Sequence, residues 1–255
     1  MNPLRLVGIA ALVTTLIAGA AQAGQTTGSS MDRADSMAAH GSSMNRESDS
    51  MAPSTGTNRI AATAVVGTVT GQALLRRLQR GGLILWIRHG ARDDRPGDVS
   101  DAQAAAHNCA EQSRLTAQGK AQARAVGAGM RELNLPIAAV HAARLCRTRA
   151  TARLLNVGPV KTDASLDEAS TWHDRGGDAA YQQAVFKLLS TTPPKGKDIL
   201  DVTSKLTVPN PRPPVLAALG PAEVAVFAPN PGGQPQLLAR IGRKAWRQLA
   251  QKVGQ

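Results

Sequence analysis

The stretch LILWIRHG, from Leu83 to Gly90, sets the strongest limit on what this chain can fold into. Five apolar residues follow one another without a polar break. A strand with one wet face alternates apolar and polar side chains, whereas a strand covered on both faces need not. The run therefore reads as a short buried strand in a sheet with helices on both sides. The amphipathic segment QALLRRLQ, Gln72 to Gln79, precedes it and is stopped by Gly81 and Gly82.

The rest of the chain repeats this alternation. Helices are expected over Thr116–Leu133, with Thr116 as the cap, and over Cys146–Asn156, Asp178–Ser190 and Lys244–Lys252. Strands are expected over Ala139–Ala143, Asp198–Ser204, Glu223–Ala228 and Gln236–Ile241, with the turn PNPGG between the last two. Strands alternating with helices imply an α/β fold with a mainly parallel sheet. Aromatic residues make up only 2% of the chain, so its core must be mostly aliphatic.

In such sheets ligands gather at the carboxyl ends of the strands. Arg88, His89 and Gly90 stand at such an end. Arg88 offers a planar donor fork suited to phosphate oxygens. A neutral His89 imidazole can attack phosphorus. Gly90 permits a tight turn and close backbone approach. A second strand end running into a helix, VHAARLCRTRATARLL from Val140 to Leu155, would aim another guanidinium at the same sheet edge.

At this point the chain resembles the histidine phosphatase superfamily, whose members carry Arg-His-Gly after their first strand. It is most like exported members of the lipopolysaccharide core heptose phosphatase type. The segments LLRRLQRGGLILWIRHG, CAEQSRLTAQGKAQARAVG and LCRTRATA agree in order, with late strands ending in LLARIG and a Trp-containing helix. The resemblance implies a three-layer α/β/α sandwich, phosphoryl transfer through a phosphohistidine, and no metal or other cofactor. It makes His89 the nucleophile, and Arg88 and Arg147 the phosphate-binding arginines. Arg144 falls where relatives have a small residue or proline, and Arg144 and Arg149 read as a solvated helix face. Glu168 falls where relatives place an acid, with Asp167 and Asp94 as rivals.

One position departs from the pattern. The family places a second histidine at the end of a later strand, and here Ser204 holds that place in DILDVTSKLTV. A serine supplies one neutral donor, whereas removing a charged donor from such a site costs roughly 3 kcal/mol in the transition state. Asp201 also puts a charge in a strand expected to be apolar. His173, in TWHDRGGD, reads as an exposed loop residue that could reach over the site; His107 and His141 read as structural or surface residues. Two readings follow: a phosphomonoester hydrolase, or a weak or inactive pseudo-phosphatase that binds a phosphorylated envelope ligand. A third, less specific, is a basic envelope-binding protein with a relic pocket.

The N-terminus points to export. Arg5, the apolar run Leu6–Ala20 and Ala21-Gln22-Ala23 have the layout of a signal peptide over residues 1–23. Residues 24–58 form a low-complexity Ser/Met/Gly linker, in which a copper-binding role for the methionines and His40 has little support. The folded domain is expected over residues 59–255. A periplasmic or secreted location follows, with no transmembrane segment after signal removal. In that compartment Cys109 and Cys146, the only cysteines, are expected to pair, two separate buried thiols being the alternative. From Arg59 onward there are 27 Lys and Arg against 14 Asp and Glu. That field favours anionic partners, a phosphorylated small molecule or envelope glycolipid. No aromatic platform or helix-turn-helix pattern supports nucleic acid. The sequence leaves the oligomeric state open.

Overall fold

The computed structural model describes residues 60–95 and 108–251. The expected signal peptide, the linker and His107 lie outside these residues. Seven strands form one sheet: β1 (Val65–Gly67), β2 (Ile84–Arg88), β3 (Ile137–Ala142), β4 (Val160–Thr162), β5 (Asp198–Thr203), β6 (Val224–Ala228) and β7 (Gln236–Ile241). Their order is β1-β7-β6-β2-β5-β3-β4, which puts β2 at the centre. The helices are α1 (Gly71–Arg80), α2 (Ala117–Glu132), α3 (Cys146–Leu155), α4 (Gly177–Leu189), α5 (Val215–Ala218) and α6 (Ala245–Gln251).

The uniform apolarity of β2 has the expected cause. Leu85 and Ile87 join one core with Leu74, Val126, Leu155 and Trp246, from α1, α2, α3 and α6. Ile84 and Trp86 join a second core with Tyr181, Val185 and Leu216, from α4 and α5. Side chains alternate across the strand, and each face meets its own helical layer. The result is a three-layer α/β/α sandwich, as expected.

The sheet is mixed. β2, β5, β3 and β4 are parallel neighbours, as expected. β6 runs antiparallel to both β2 and β7, and β1 antiparallel to β7. The PNPGG turn explains the β6/β7 pair, because a connection that short can join only antiparallel strands. The three-residue strands β1 and β4 escaped sequence reading because each is partly exposed and carries no apolar repeat. β3 starts at Ile137, two residues before the expected start, and ends at Ala142.

Two buried acids are built into the parallel half. Asp198 accepts a hydrogen bond from the Leu83 amide through Oδ1 at 2.8 Å, while its buried Oδ2 has no partner among the described residues. Burial pushes its carboxyl up to about 7, against the weaker opposing effects of the Leu83 bond and Arg77. The folded state thus holds this proton more tightly than the unfolded chain. The stabilisation is complete below the ordinary carboxylate pKa and is lost as pH rises through about 7. Asp198→Asn should therefore stabilise the protein more at pH 8 than at pH 5, by a few kcal/mol in urea unfolding. Equal effects at both pH values would mean that the carboxyl ionises normally.

Asp201 explains the charge in an otherwise apolar strand. It lies opposite His141 in the β3/β5 register, and His141 Nδ1 bonds its Oδ1 at 3.0 Å. Burial still raises the Asp201 carboxyl, while the bond to Asp201 raises the His141 imidazole. His141 is thus a partner for a buried acid.

Candidate functional site

β2 delivers its reactive residues to a sheet edge fixed from several sides. The His89 amide donates to Thr203 O at 2.9 Å, and the Ala222 amide reaches the Arg88 and His89 carbonyls, each at 3.1 Å. The Gly90 amide donates to Thr151 Oγ1 on α3 at 3.2 Å. Gly90 is needed for close approach. A Cβ there would run into the backbone of Gly119, and one at Gly119 into the carbonyl of Ala91. Thr116 caps α2 as expected, its Oγ1 accepting the Gly119 amide at 2.9 Å and donating to Ala91 O at 3.2 Å.

His89 is buried, at 2% exposure. Its Nδ1 lies 2.7 Å from Gly90 O. A carbonyl only accepts, so Nδ1 carries the proton and a neutral ring keeps its lone pair on Nε2. The imidazole pKa is lowered to about 3, first by burial and then by the Arg147 charge, with Arg88 and Arg92 adding to it. The hydrogen bond to Gly90 opposes this only in part. The ring is thus uncharged near neutral pH, the state a nucleophile needs.

A cavity of about 420 Å³ opens beside this ring. Arg88, His89, Glu168 and Ser204 line it. Arg88 Nη1 also donates to Leu219 O at 2.9 Å. Ser204 stands beside His89 because Thr203, the last residue of β5, pairs with Arg88, the last of β2. Its buried Oγ has no hydrogen-bond partner among the described residues. A serine therefore lines the cavity alongside His89, at the end of the strand that neighbours β2.

Arg147 sits differently from its expected role. It is 1% exposed in the first turn of α3, and Glu168 accepts a very short hydrogen bond from its Nη2. It does not itself line the cavity but stands behind Glu168, near enough to depress the His89 pKa. Glu168 and Asp94 both line the cavity. Asp94 is paired with Arg92 at 2.8 Å and largely exposed. Asp167 is held elsewhere, accepting from the Arg144 amide at 2.8 Å and from Arg144 Nε at 2.6 Å. Arg144 is thus not simply a solvated residue; it clamps the segment that presents Glu168. Thr203 Oγ1, bonded to Leu166 O at 2.6 Å, fixes the same segment from β5. His173 is exposed and does not line the cavity.

Two cations in the cavity wall were not read from the sequence, Arg92 and Lys205. Their signal was position: each lies within three residues of a site residue, just past a strand end.

Cys109 and Cys146 form a disulfide, with Cα atoms 5.6 Å apart and a separation of 37 in sequence. Arg149 Nη2 lies over it, 3.0 Å from Cys146 Sγ. Cys146 directly precedes Arg147, and its amide donates to buried Gln112 Oε1 at 2.8 Å. The bridge therefore anchors the turn that carries Arg147. Closing a loop of this length is worth roughly 3–4 kcal/mol on the chain-entropy account. Cys109→Ser with Cys146→Ser should lower Tm by roughly 10 °C by circular dichroism. An unchanged Tm would mean that the packing around Gln112 holds this turn alone.

Among the described residues, no cluster of three or more His, Cys, Asp or Glu side chains is placed to hold a metal ion. No helix among them is long and apolar enough to cross a membrane.

With the fold and geometry in place, comparison with known proteins adds a class. Residues 84–206 match the model of the histidine phosphatase superfamily (branch 1). The match runs from the first residue of β2 to just past Ser204. Over this segment the chain is similar to that superfamily. No curated protein sequence matches the chain significantly. Solved structures similar to it include the protein histidine phosphatase SixA complexed with tungstate, at 14% identity and a TM-score of 0.42, covering 63% of this chain and 97% of that one. Another is mycobacterial glucosyl-3-phosphoglycerate phosphatase in complex with VO3, at 17% identity and a TM-score of 0.42, covering 62% and 97%. A third is a phosphoserine phosphatase mutant from Entamoeba histolytica in complex with phosphoserine, at 14% identity and a TM-score of 0.44, covering 64% and 98%.

Proposed function

We propose that this protein hydrolyses a phosphomonoester in two steps through a phosphohistidine on His89. The observation that carries this is the state of His89: buried, neutral, with Nδ1 tied to Gly90 and Nε2 left as the free base beside a cation-lined cavity. Nε2 attacks phosphorus in line, and the P–O bond to the leaving alcohol breaks as the N–P bond forms. Arg88 bears the charge of the transferring group, with Arg147 acting beside it once Glu168 releases its guanidinium. Glu168 is the residue best placed to give the leaving oxygen its proton. Water then cleaves the N–P bond and returns His89 to its neutral state.

Export to the periplasm or medium is part of this reading, supported by the layout of residues 1–23. The positive field of the folded domain favours a phosphorylated small molecule or an envelope glycolipid as substrate. The heptose phosphatase subtype rests on the sequence motifs alone. The test is turnover of p-nitrophenyl phosphate by the native chain and by Arg88→Ala. Native turnover that falls roughly 10²–10³-fold in Arg88→Ala is expected. Equal rates in both would remove Arg88 from the phosphate pocket.

Ser204 favours a second reading, in which the cavity binds a phosphorylated ligand and turns it over slowly or not at all. Its Oγ can give one neutral hydrogen bond where a charged donor is expected.

A further inference from the structure

A second cavity, of about 560 Å³, is lined by Thr63 at the start of the described residues, Ala125 of α2, and Arg243, Lys244 and Arg247 at and before α6. α2 and α6 pack closely in the fold; a Cβ at Gly129 would press on Trp246 Cβ at 2.7 Å. Lys244 and Arg247 are exposed and Arg243 half-buried. Among the described residues, no carboxylate lines this cavity.

Shared wall residues link the basic cavity to the site around His89. A smaller cavity of about 210 Å³ shares Ala91 and Pro221 with the His89 cavity and Arg243 with the basic one. Its walls are small or amide residues, including Gln118 and Gln122, and one acid, Glu223. That acid is already engaged: Glu223 Oε1 accepts from Arg240 Nε at 2.7 Å and Oε2 from the Gly220 amide at 2.8 Å. The smaller cavity thus offers amide groups, Arg243 and an already paired acid between two cation-bearing cavities.

We propose that Arg243, Lys244 and Arg247 form a second anion subsite, which takes a phosphate or similar group of the same substrate whose first phosphate lies beside His89. This rests on the phosphatase reading and narrows its substrate class to molecules with two anionic groups joined by a polar, uncharged segment. Such a molecule could be a free diphosphorylated carbohydrate or a glycolipid headgroup carrying two phosphates. The gain from the second group is an effective-concentration gain, so it depends on the length of the spacer.

The test uses alkane-1,n-diol bisphosphates as a ruler, paired with alkanol monophosphates of equal chain length, on the native chain and on Lys244→Ala/Arg247→Ala. Native kcat/KM should favour the bisphosphate at least tenfold at one preferred length, and the ratio should fall to about one in the double variant. A ratio near one at every length in the native chain, or one that the variant leaves unchanged, overturns the subsite. Titration calorimetry with the corresponding bisphosphonates, which cannot be hydrolysed, reads the subsite independently of turnover. Length-dependent bisphosphonate affinity, lost in the double variant, without catalysis would uphold the subsite and overturn the hydrolase reading. Flotation with phosphatidylcholine vesicles, with and without a bis-phosphorylated glycolipid, separates the sources. Capture only by doped vesicles, reversed in the double variant, assigns the headgroup. Length-dependent binding of the soluble ligand without vesicle capture assigns the free molecule. Neither response overturns the proposal.

Discussion

Replacing His89 with asparagine should reduce kcat on p-nitrophenyl phosphate by at least roughly 10⁴-fold, the scale of losing a catalytic nucleophile. The effect follows from the ring being, among the described residues, the only imidazole in the wall of the cavity, buried and neutral with Nε2 as its free base. Asparagine keeps a polar side chain but no nitrogen lone pair that can attack phosphorus. Arg88 and Arg147 are untouched, so binding of orthovanadate, followed by competition, should persist. Loss of turnover with retained anion binding separates a missing nucleophile from a collapsed pocket. Turnover within tenfold of native would show that phosphorus is attacked by some other group.

The second large effect is a gain. Ser204→His should raise kcat roughly 10²-fold, because a charged donor beside the transferring phosphoryl group is worth roughly 3 kcal/mol. The structure has room for it: Ser204 faces the cavity of about 420 Å³, and its Oγ has no hydrogen bond among the described residues to lose. Steady-state kinetics with a matched pH profile would show the new group as an added limb near the pKa of a histidine. An unchanged or lower kcat would mean that Lys205, Arg92 or another cation already supplies that charge, or that phosphate sits away from Ser204. A gain from near silence would instead favour the second reading, a binding protein whose pocket can be restored.

The central strand and its reactive end were legible in the sequence because two local signals coincide there. An unbroken apolar run demands two covered faces, and Arg-His-Gly follows without a spacer. The Thr116 cap and the α3 start were legible for the same reason: capping and periodicity are local. What was hidden depends on distant partners. Arg144 read as a solvated helix residue because nothing near it in sequence reveals that Asp167 will meet its guanidinium. Arg147 read as a direct phosphate ligand, whereas Glu168 holds one of its nitrogens in this structure. Asp201 looked like drift in a strand until the β3/β5 register placed His141 against it. The antiparallel β6/β7 pair was signalled by the short PNPGG turn. The three-residue strands β1 and β4 carried no signal at all, since they are too short to show a period.

The most direct measurement is to look for the covalent intermediate. A phosphomonoester labelled on phosphorus is mixed with the native chain, quenched in alkali within one turnover, and digested for mass spectrometry. Phosphohistidine survives alkali and is lost in acid. The account predicts one phosphoryl group on the peptide that carries His89, acid-labile and absent in His89→Asn. Steady hydrolysis with no covalent label, or a label on a different residue, would contradict it.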